Sequence, residues 1–214
     1  MDQARLQRDT QPAAAPKRAR RNGKREQLIR VGVAMFTEQG FHSTSIDTLV
    51  SIAHVPKGSF TYYFGSKDEY ALAVIDAYGA YFNRKLDRVL TDKRHTPFER
   101  INRFVEEAAN GMERYAFRRG CLVGNLGQEL ASLNEGCRKA LLEILVEWRS
   151  RLQACLEEAQ EMGALRKEVN LADLAQLFWY AWEGAVMGAK LEKSKMPLLV
   201  AGHAFIAQLK ALKP

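Results

Sequence analysis

Along this 214-residue chain, apolar residues recur every three to four positions in runs separated by short polar breaks. Nowhere do they alternate with the period of two that a half-buried strand requires. The first run, from about Lys24 to Gln39, puts Leu28, Val31, Met35 and Phe36 on one face and stops at Gly40. A short run from Ser45 to about Ala53 follows, with Ile46, Leu49, Val50 and Ala53 as its buried stripe. Thr44 is expected to cap it, because Thr44 and Asp47 have capping-box spacing. His54, Val55 and Pro56 break the pattern, and a helix of about two turns begins at Pro56 or Lys57 with Phe60 and Phe64 pointing inward.

Longer helices come next. Ser66 and Glu69 open one that runs from Lys67 to about Leu90, and Thr96-Pro97-Phe98-Glu99 opens another that reaches about Tyr115. A shorter segment spans Cys121 to Ser132, and Leu141, Leu145, Trp148, Leu152 and Leu156 mark a long helix from about Glu135 to Met162. Asn170 and Asp173 cap a helix from Leu171 to about Lys193, and Pro197 starts the last, ending near Leu212. With no strand signal and no internal repeat, the expected fold is all-α: a small three-helix unit over residues 24–66, then a larger helical body over residues 67–214. The Lys67–Leu90 helix is apolar on more than one side, so it is expected to touch both units and connect them.

The outer surface of the two-turn helix carries Lys57, Gly58, Ser59, Thr61, Tyr62 and Tyr63. A cation, small residues and hydroxyls on a short helix suit insertion between phosphate walls, which is the helix-turn-helix mode of reading DNA. An αα-corner whose tyrosines pack on a neighbour would produce the same pattern. The run GFHSTSIDTLVSIAHVPKGSFTYYFGSKDEY, Gly40 to Tyr70, resembles the DNA-binding domain of TetR-family transcriptional regulators. The resemblance implies a homodimeric, all-helical repressor with a ligand-responsive, dimerising C-terminal domain that binds a double-stranded DNA operator. The residues it marks for DNA contact are Thr44, Lys57, Gly58, Ser59, Thr61, Tyr62, Tyr63 and Lys67. A ligand that tilts the connecting helix would change the separation of the two reading heads of a dimer, which must match half-sites about one DNA turn apart.

Composition and charge sharpen this picture. The formal net charge is +7, and residues 1–65 hold ten Lys or Arg against five Asp or Glu. Residues 1–23 lack apolar periodicity and read as a disordered basic arm, and six of those cations fall between Pro16 and Arg25, across its end. Either it follows a nucleic-acid backbone or it solubilises the chain. No apolar run approaches the ~20 residues that cross a bilayer, and no secretory leader is apparent, so a cytoplasmic location is expected. Cys121, Cys137 and Cys155 have neither zinc spacing nor an even number, and His42, His54, His95 and His203 lack metal-site patterns. No metal and no cofactor are expected.

Two further stretches matter. Ala181, Ala185 and Ala189, beside Gly184 and Gly188, place small residues at helical spacing and point to close packing, either across a two-fold interface or within the chain. RRGCLVGNLGQEL, Arg118 to Leu130, together with the later run Trp182 to Lys190, resembles a TetR-like subgroup that includes the NemR and AcuR repressors. That subgroup is associated with reactive carbonyls, oxidants or small unsaturated acids, and the resemblance makes Cys121 the sensor candidate and Lys190 its basic partner. Asn125 and Trp182 complete the expected effector site. Arg118 and Arg119, or a helix N-terminus, would favour the Cys121 thiolate, whereas a small buried apolar residue is the alternative reading. An enzyme using Cys121 as nucleophile would need a positioned base, which the pattern does not offer, and an architectural nucleic-acid binder would use the arm without a ligand. The chain is therefore read as a regulator and not an enzyme.

Overall fold

The computed structural model describes residues 17–214, with side chains from Gly23 onward. Nine α-helices and no strand occur among the described residues: α1 (Lys17–Glu38), α2 (Ile46–Ile52), α3 (Lys57–Phe64), α4 (Lys67–Leu90), α5 (Pro97–Arg114), α6 (Leu122–Leu130), α7 (Glu135–Glu161), α8 (Leu171–Glu192) and α9 (Met196–Ala211). The first helix begins seven residues before the expected start, so Lys17 to Gly23 belong to α1, while the rest of the expected basic arm lies outside the described residues. No described helix is long and apolar enough to cross a membrane.

In the N-terminal unit, Leu28, Phe36, Leu49, Ala53, Phe60 and Phe64 are buried together. Tyr70, in the first turns of α4, closes this core. Its ring meets Phe36, Phe60 and Phe64 at centroid distances of 5.8, 5.0 and 4.8 Å, and its hydroxyl donates to the Leu28 carbonyl at 2.7 Å. One side chain of the connecting helix thus completes the core of the N-terminal unit and ties the two together at that point.

The expected cap of α2 is shifted by one residue. Ser45, not Thr44, accepts the Thr48 amide, and Asp47 pairs with Lys57 instead of reaching back. Thr44 is fully buried, and its hydroxyl donates to the Gly40 carbonyl at 2.7 Å. The cause lies in the preceding turn: Gly40 has φ +85°, a conformation that favours glycine, and this turn hands its carbonyl to Thr44. The caps of the later helices follow their spacing. Ser66 accepts from Glu69, Thr96 and Glu99 form a reciprocal capping box, and Asn170 accepts from Ala172 and Asp173.

The C-terminal body packs α4 on α5 and α7, α8 on α7, and α9 on α8 and α5. Its centre is aromatic: Phe82, Phe104, Phe178, Trp148, Trp179 and Trp182 interlock, with centroids of 4.3 Å for Phe82–Trp148 and 5.0 Å for Trp148–Trp179. Arg100, only 2% exposed, locks the α4–α5 connection to α7. Its guanidinium donates to both Glu158 oxygens, at 2.7 and 2.9 Å, and to the carbonyls of Leu90, Asp92 and His95. The small-residue stripe of α8 divides: Ala185 and Ala189 are buried, Gly188 packs on Pro197 of α9, and Ala181 and Gly184 face outward. Beside the outward pair, Leu177, Tyr180, Met187 and Leu191 of α8 and Met196 and Val200 of α9 are exposed.

Candidate DNA-reading helix and effector cavity

Lys57, Gly58, Thr61 and Tyr62 are exposed on α3, with Ser59 and Tyr63 half-buried beside them. Tyr62 is 66% exposed and sets its ring edge-on to Tyr63 at 5.2 Å. The Lys57–Asp47 pair, at 2.7 Å, is open to solvent on both sides, and such pairs contribute little and are readily exchanged. A Cβ on Gly58 would meet nothing, so the protein's own packing does not require a glycine there. The two remaining candidates turn inward. Thr44 is buried, as described, and the Lys67 ammonium lies 4.1 Å from the Phe41 ring centroid and donates to the Phe41 carbonyl at 2.7 Å. Burial lowers the Lys67 pKa, with Glu129 and Asp68 opposing.

Behind this head, α6 bears directly on α1 and the α1–α2 turn. The Glu129 carboxylate accepts the amides of Phe41 and His42 at 3.0 and 2.8 Å, and a Cβ on Gly40 would collide with it. Asn125 was expected in the effector site, yet its side-chain amide donates to the Phe36 and Thr37 carbonyls at 3.0 Å each, and it is absent from the cavity lining. The carbonyls at the end of α1 have no intrahelical partner, and Asn125 satisfies them. Gly120 adds a third tie, its amide donating to the Thr37 carbonyl at 2.8 Å.

The other end of α6 borders a cavity of about 570 Å³ between α1, α4, α5 and α8. Cys121, the N-cap of α6, lines it with Tyr78, Phe82, Trp182 and Glu183. Trp182 is held by stacking on Phe178 at 5.6 Å. Arg30, Lys85, Arg114 and Arg119 also reach the cavity. Lys85 has its ammonium 5.8 and 5.9 Å from the Phe82 and Phe104 ring centroids, and burial lowers its pKa.

The Cys121 thiol is not the activated group that the neighbouring arginines suggested. Arg118 and Arg119 reach towards Glu38, at 3.6 and 3.7 Å, and Arg119 stacks on Tyr115. Burial, and then the Glu183 carboxylate, push the thiol pKa well above its usual value, against a bond from the Gly124 amide. Tyr78 donates to Sγ at 3.8 Å. Lys190 is absent from the lining; its aliphatic stem packs on Gly120, where a Cβ would lie 3.0 Å from Lys190 Cδ. Tyr78 is one of six aromatic residues whose spacing allows them to line an apolar pocket, but of these only Trp182 is assigned to the site on sequence grounds, and Glu183 is given no role beyond adjoining it. The one available signal was an acidic residue inside the apolar and small run Trp182 to Ala189. Burial raises the Glu183 pKa to about 7, and one of its oxygens is buried without a partner. No group of His, Cys, Asp or Glu that could hold a metal occurs among the described residues.

Residues 28–74 match the sequence profile of bacterial regulatory proteins of the tetR family, and residues 97–205 match that of the tetracyclin repressor-like C-terminal domain. The transcriptional regulator AcuR of Cereibacter sphaeroides is 42% identical over 196 residues, covering 87% of this chain and 90% of that protein. A crystal structure of regulatory protein TetR from Rhodobacter sphaeroides has a TM-score of 0.81 at 41% identity, covering 88% of this chain and 98% of the other. That of Escherichia coli NemR in its reduced form has a TM-score of 0.76 at 27% identity, covering 89% and 97%. A three-helix head completed by the first turns of α4, a larger helical body behind it, and these matches over both parts have one reading: the chain belongs to the TetR family of DNA-binding transcriptional regulators.

Proposed function

We propose that the protein is a homodimeric repressor, acting in the cytoplasm, that leaves its double-stranded DNA operator when a small molecule enters the cavity and meets Cys121. The observation that carries this reading is the placement of α6. Its first end, at Cys121, lines the cavity, and its last turn holds the α1–α2 turn through Glu129. A displacement at Cys121 is therefore transmitted to the reading head over the length of one short helix.

In this reading residues 24–66 form the head, with Lys57, Gly58, Ser59, Thr61, Tyr62 and Tyr63 meeting the operator. Residues 67–214 bind the ligand and dimerise through the exposed apolar faces of α8 and α9. The ligand is a reactive carbonyl, an oxidant or a small unsaturated acid. The crystal structure of Escherichia coli NemR is of its reduced form, and a cysteine at the head of α6 in this chain accords with a redox-responsive site.

The test is fluorescence anisotropy with DNA from upstream of the gene and with random DNA, at two salt concentrations, before and after addition of acrylamide. Site-specific binding must exceed the salt-steep background, and equal affinity for both DNAs would sink the reading. Cys121→Ser should bind the operator normally and no longer release it on treatment. Light scattering should return a dimer mass.

A further inference from the structure

Three polar groups converge on one wall of the cavity: the Cys121 thiol, the Tyr78 hydroxyl and the Glu183 carboxyl. The Glu183 carboxyl comes up to Cys121 across Gly124, one turn into α6. A Cβ on Gly124 would collide with Glu183 Oε2 and would lie 3.9 Å from the Cys121 Cβ. The Gly124 amide works against the rise of the thiol pKa. The missing side chain thus leaves a slot through which a carboxylate on α8 reaches the cysteine at the head of α6. Neither Cys137 nor Cys155 lines the cavity, so no second thiol stands ready to form a disulfide there.

We propose that Glu183 takes the proton of the Cys121 thiol as its sulfur adds to a neutral α,β-unsaturated carbonyl compound bound in the cavity. The sulfur lone pair forms the new S–C bond at the β-carbon, and the π pair of the C=C bond moves onto the α-carbon and carbonyl oxygen. Glu183 accepts the thiol proton and returns it to the α-carbon, so the adduct is the sum of thiol and electrophile, with no oxidant consumed. Tyr78, donating to Sγ, steadies the charge that develops on sulfur. A base titrating near neutrality suits this task, and Glu183, at about 7, is such a group. The other ionisable groups facing the cavity are Arg30 on α1, Tyr81 and Lys85 on α4, Arg114 and Tyr115 at the end of α5, and Arg119 beside Cys121. The cations among them favour the transient enolate.

This step rests on Cys121 being the sensor, and the two claims separate experimentally. Alkylation of Cys121 by acrylamide is followed by peptide mass spectrometry, with Cys137 and Cys155 as internal controls. Glu183→Gln should slow it on the order of 100-fold at pH 7.5. Gly124→Ala, which keeps the acid but displaces its flexible end within a helix that tolerates alanine, should slow it similarly. If Glu183 only repels the thiolate, its neutralisation would speed the reaction, and an unchanged or faster rate in both variants overturns the proposal. The wild-type profile is a second test that needs no variant. A rate that rises with pH and levels above about 7 supports the step, and one still climbing through the ordinary thiol value of 9.0 overturns it. Release of DNA by acrylamide in Cys121→Ser, together with Glu183-dependent alkylation of Cys121 in the unsubstituted protein, would support this step while refuting the sensor reading.

Discussion

Glu158 and Glu183 are carboxylates of one helical body, and the structure holds them in opposite states. Glu158 on α7 receives both arms of the buried Arg100 and the Lys93 ammonium, and these bonds, Arg100 first, draw its pKa down to about 2. Glu183 on α8 has no cation bonded to it, faces a cavity, and is pushed up to about 7 by burial. The first arrangement leaves nothing unsatisfied and serves as a lock between α4, α5 and α7. The second leaves an oxygen unpartnered against space that a ligand can fill. Saturated pairing makes a rigid joint, and a shortage of partners makes a group available for chemistry.

The largest effect should come from breaking the saturated site. Arg100→Ala strips Glu158 of its bidentate partner and orphans three carbonyls, so urea denaturation should show a loss of about 3 kcal/mol. A loss below about 1 kcal/mol would place Glu158 with ordinary surface carboxylates. The sign of the pH dependence follows from the lowered pKa. The stabilisation from Glu158 is present above its unfolded value near 4.5 and is lost as pH falls through about 2. Glu158→Gln should flatten that acid limb.

Glu183 should behave in the opposite sense. Its raised pKa means that folding disfavours the ionised form, a cost absent below about 4.5 and complete above about 7. Glu183→Gln should therefore raise stability at pH 8 by on the order of 2 kcal/mol and leave it unchanged at pH 4, as read from paired thermal melts. A destabilised variant at pH 8 would mean that the carboxylate is paired after all.

Two further carboxylates rank below these. Glu129 accepts two backbone amides across the head–body boundary, and Glu129→Ala should cost about 1 to 2 kcal/mol. The variant should also respond less at the operator to a compound that still modifies Cys121, as anisotropy would show. Asp47, exposed and paired with Lys57, should matter least to stability: Asp47→Asn should change it by less than about 0.5 kcal/mol. Lys57→Ala should weaken operator binding and reduce the slope of log K against log salt by about 0.9.

Much of the fold was legible in the sequence because helices and their caps are local. Thr96 with Glu99 and Asn170 with Asp173 stand within one turn of each other, and their spacing located the starts of α5 and α8. The same logic failed at Thr44, where two adjacent hydroxyls competed and the turn at Gly40, four residues earlier, drew in the Thr44 hydroxyl and left the cap to Ser45. Of the expected effector site, Cys121 and Trp182 do line the cavity, while Asn125 faces α1 and Lys190 packs on Gly120. Tyr78 lies 43 positions from Cys121, and Phe36 and Thr37 lie 89 and 88 positions from Asn125, beyond the reach of periodicity.

By itself, then, the sequence determined the helices, the short exposed helix between two turns, and the cysteine that begins α6, since each depends on residues a few positions apart. Only the tertiary structure decided that α6 spans from cavity to reading head, that Arg118 and Arg119 turn to Glu38, and that Glu183 is the acid beside Cys121. The physical reason is that burial sets the charge state of such a group, and burial is a property of helices that meet only after the chain has folded.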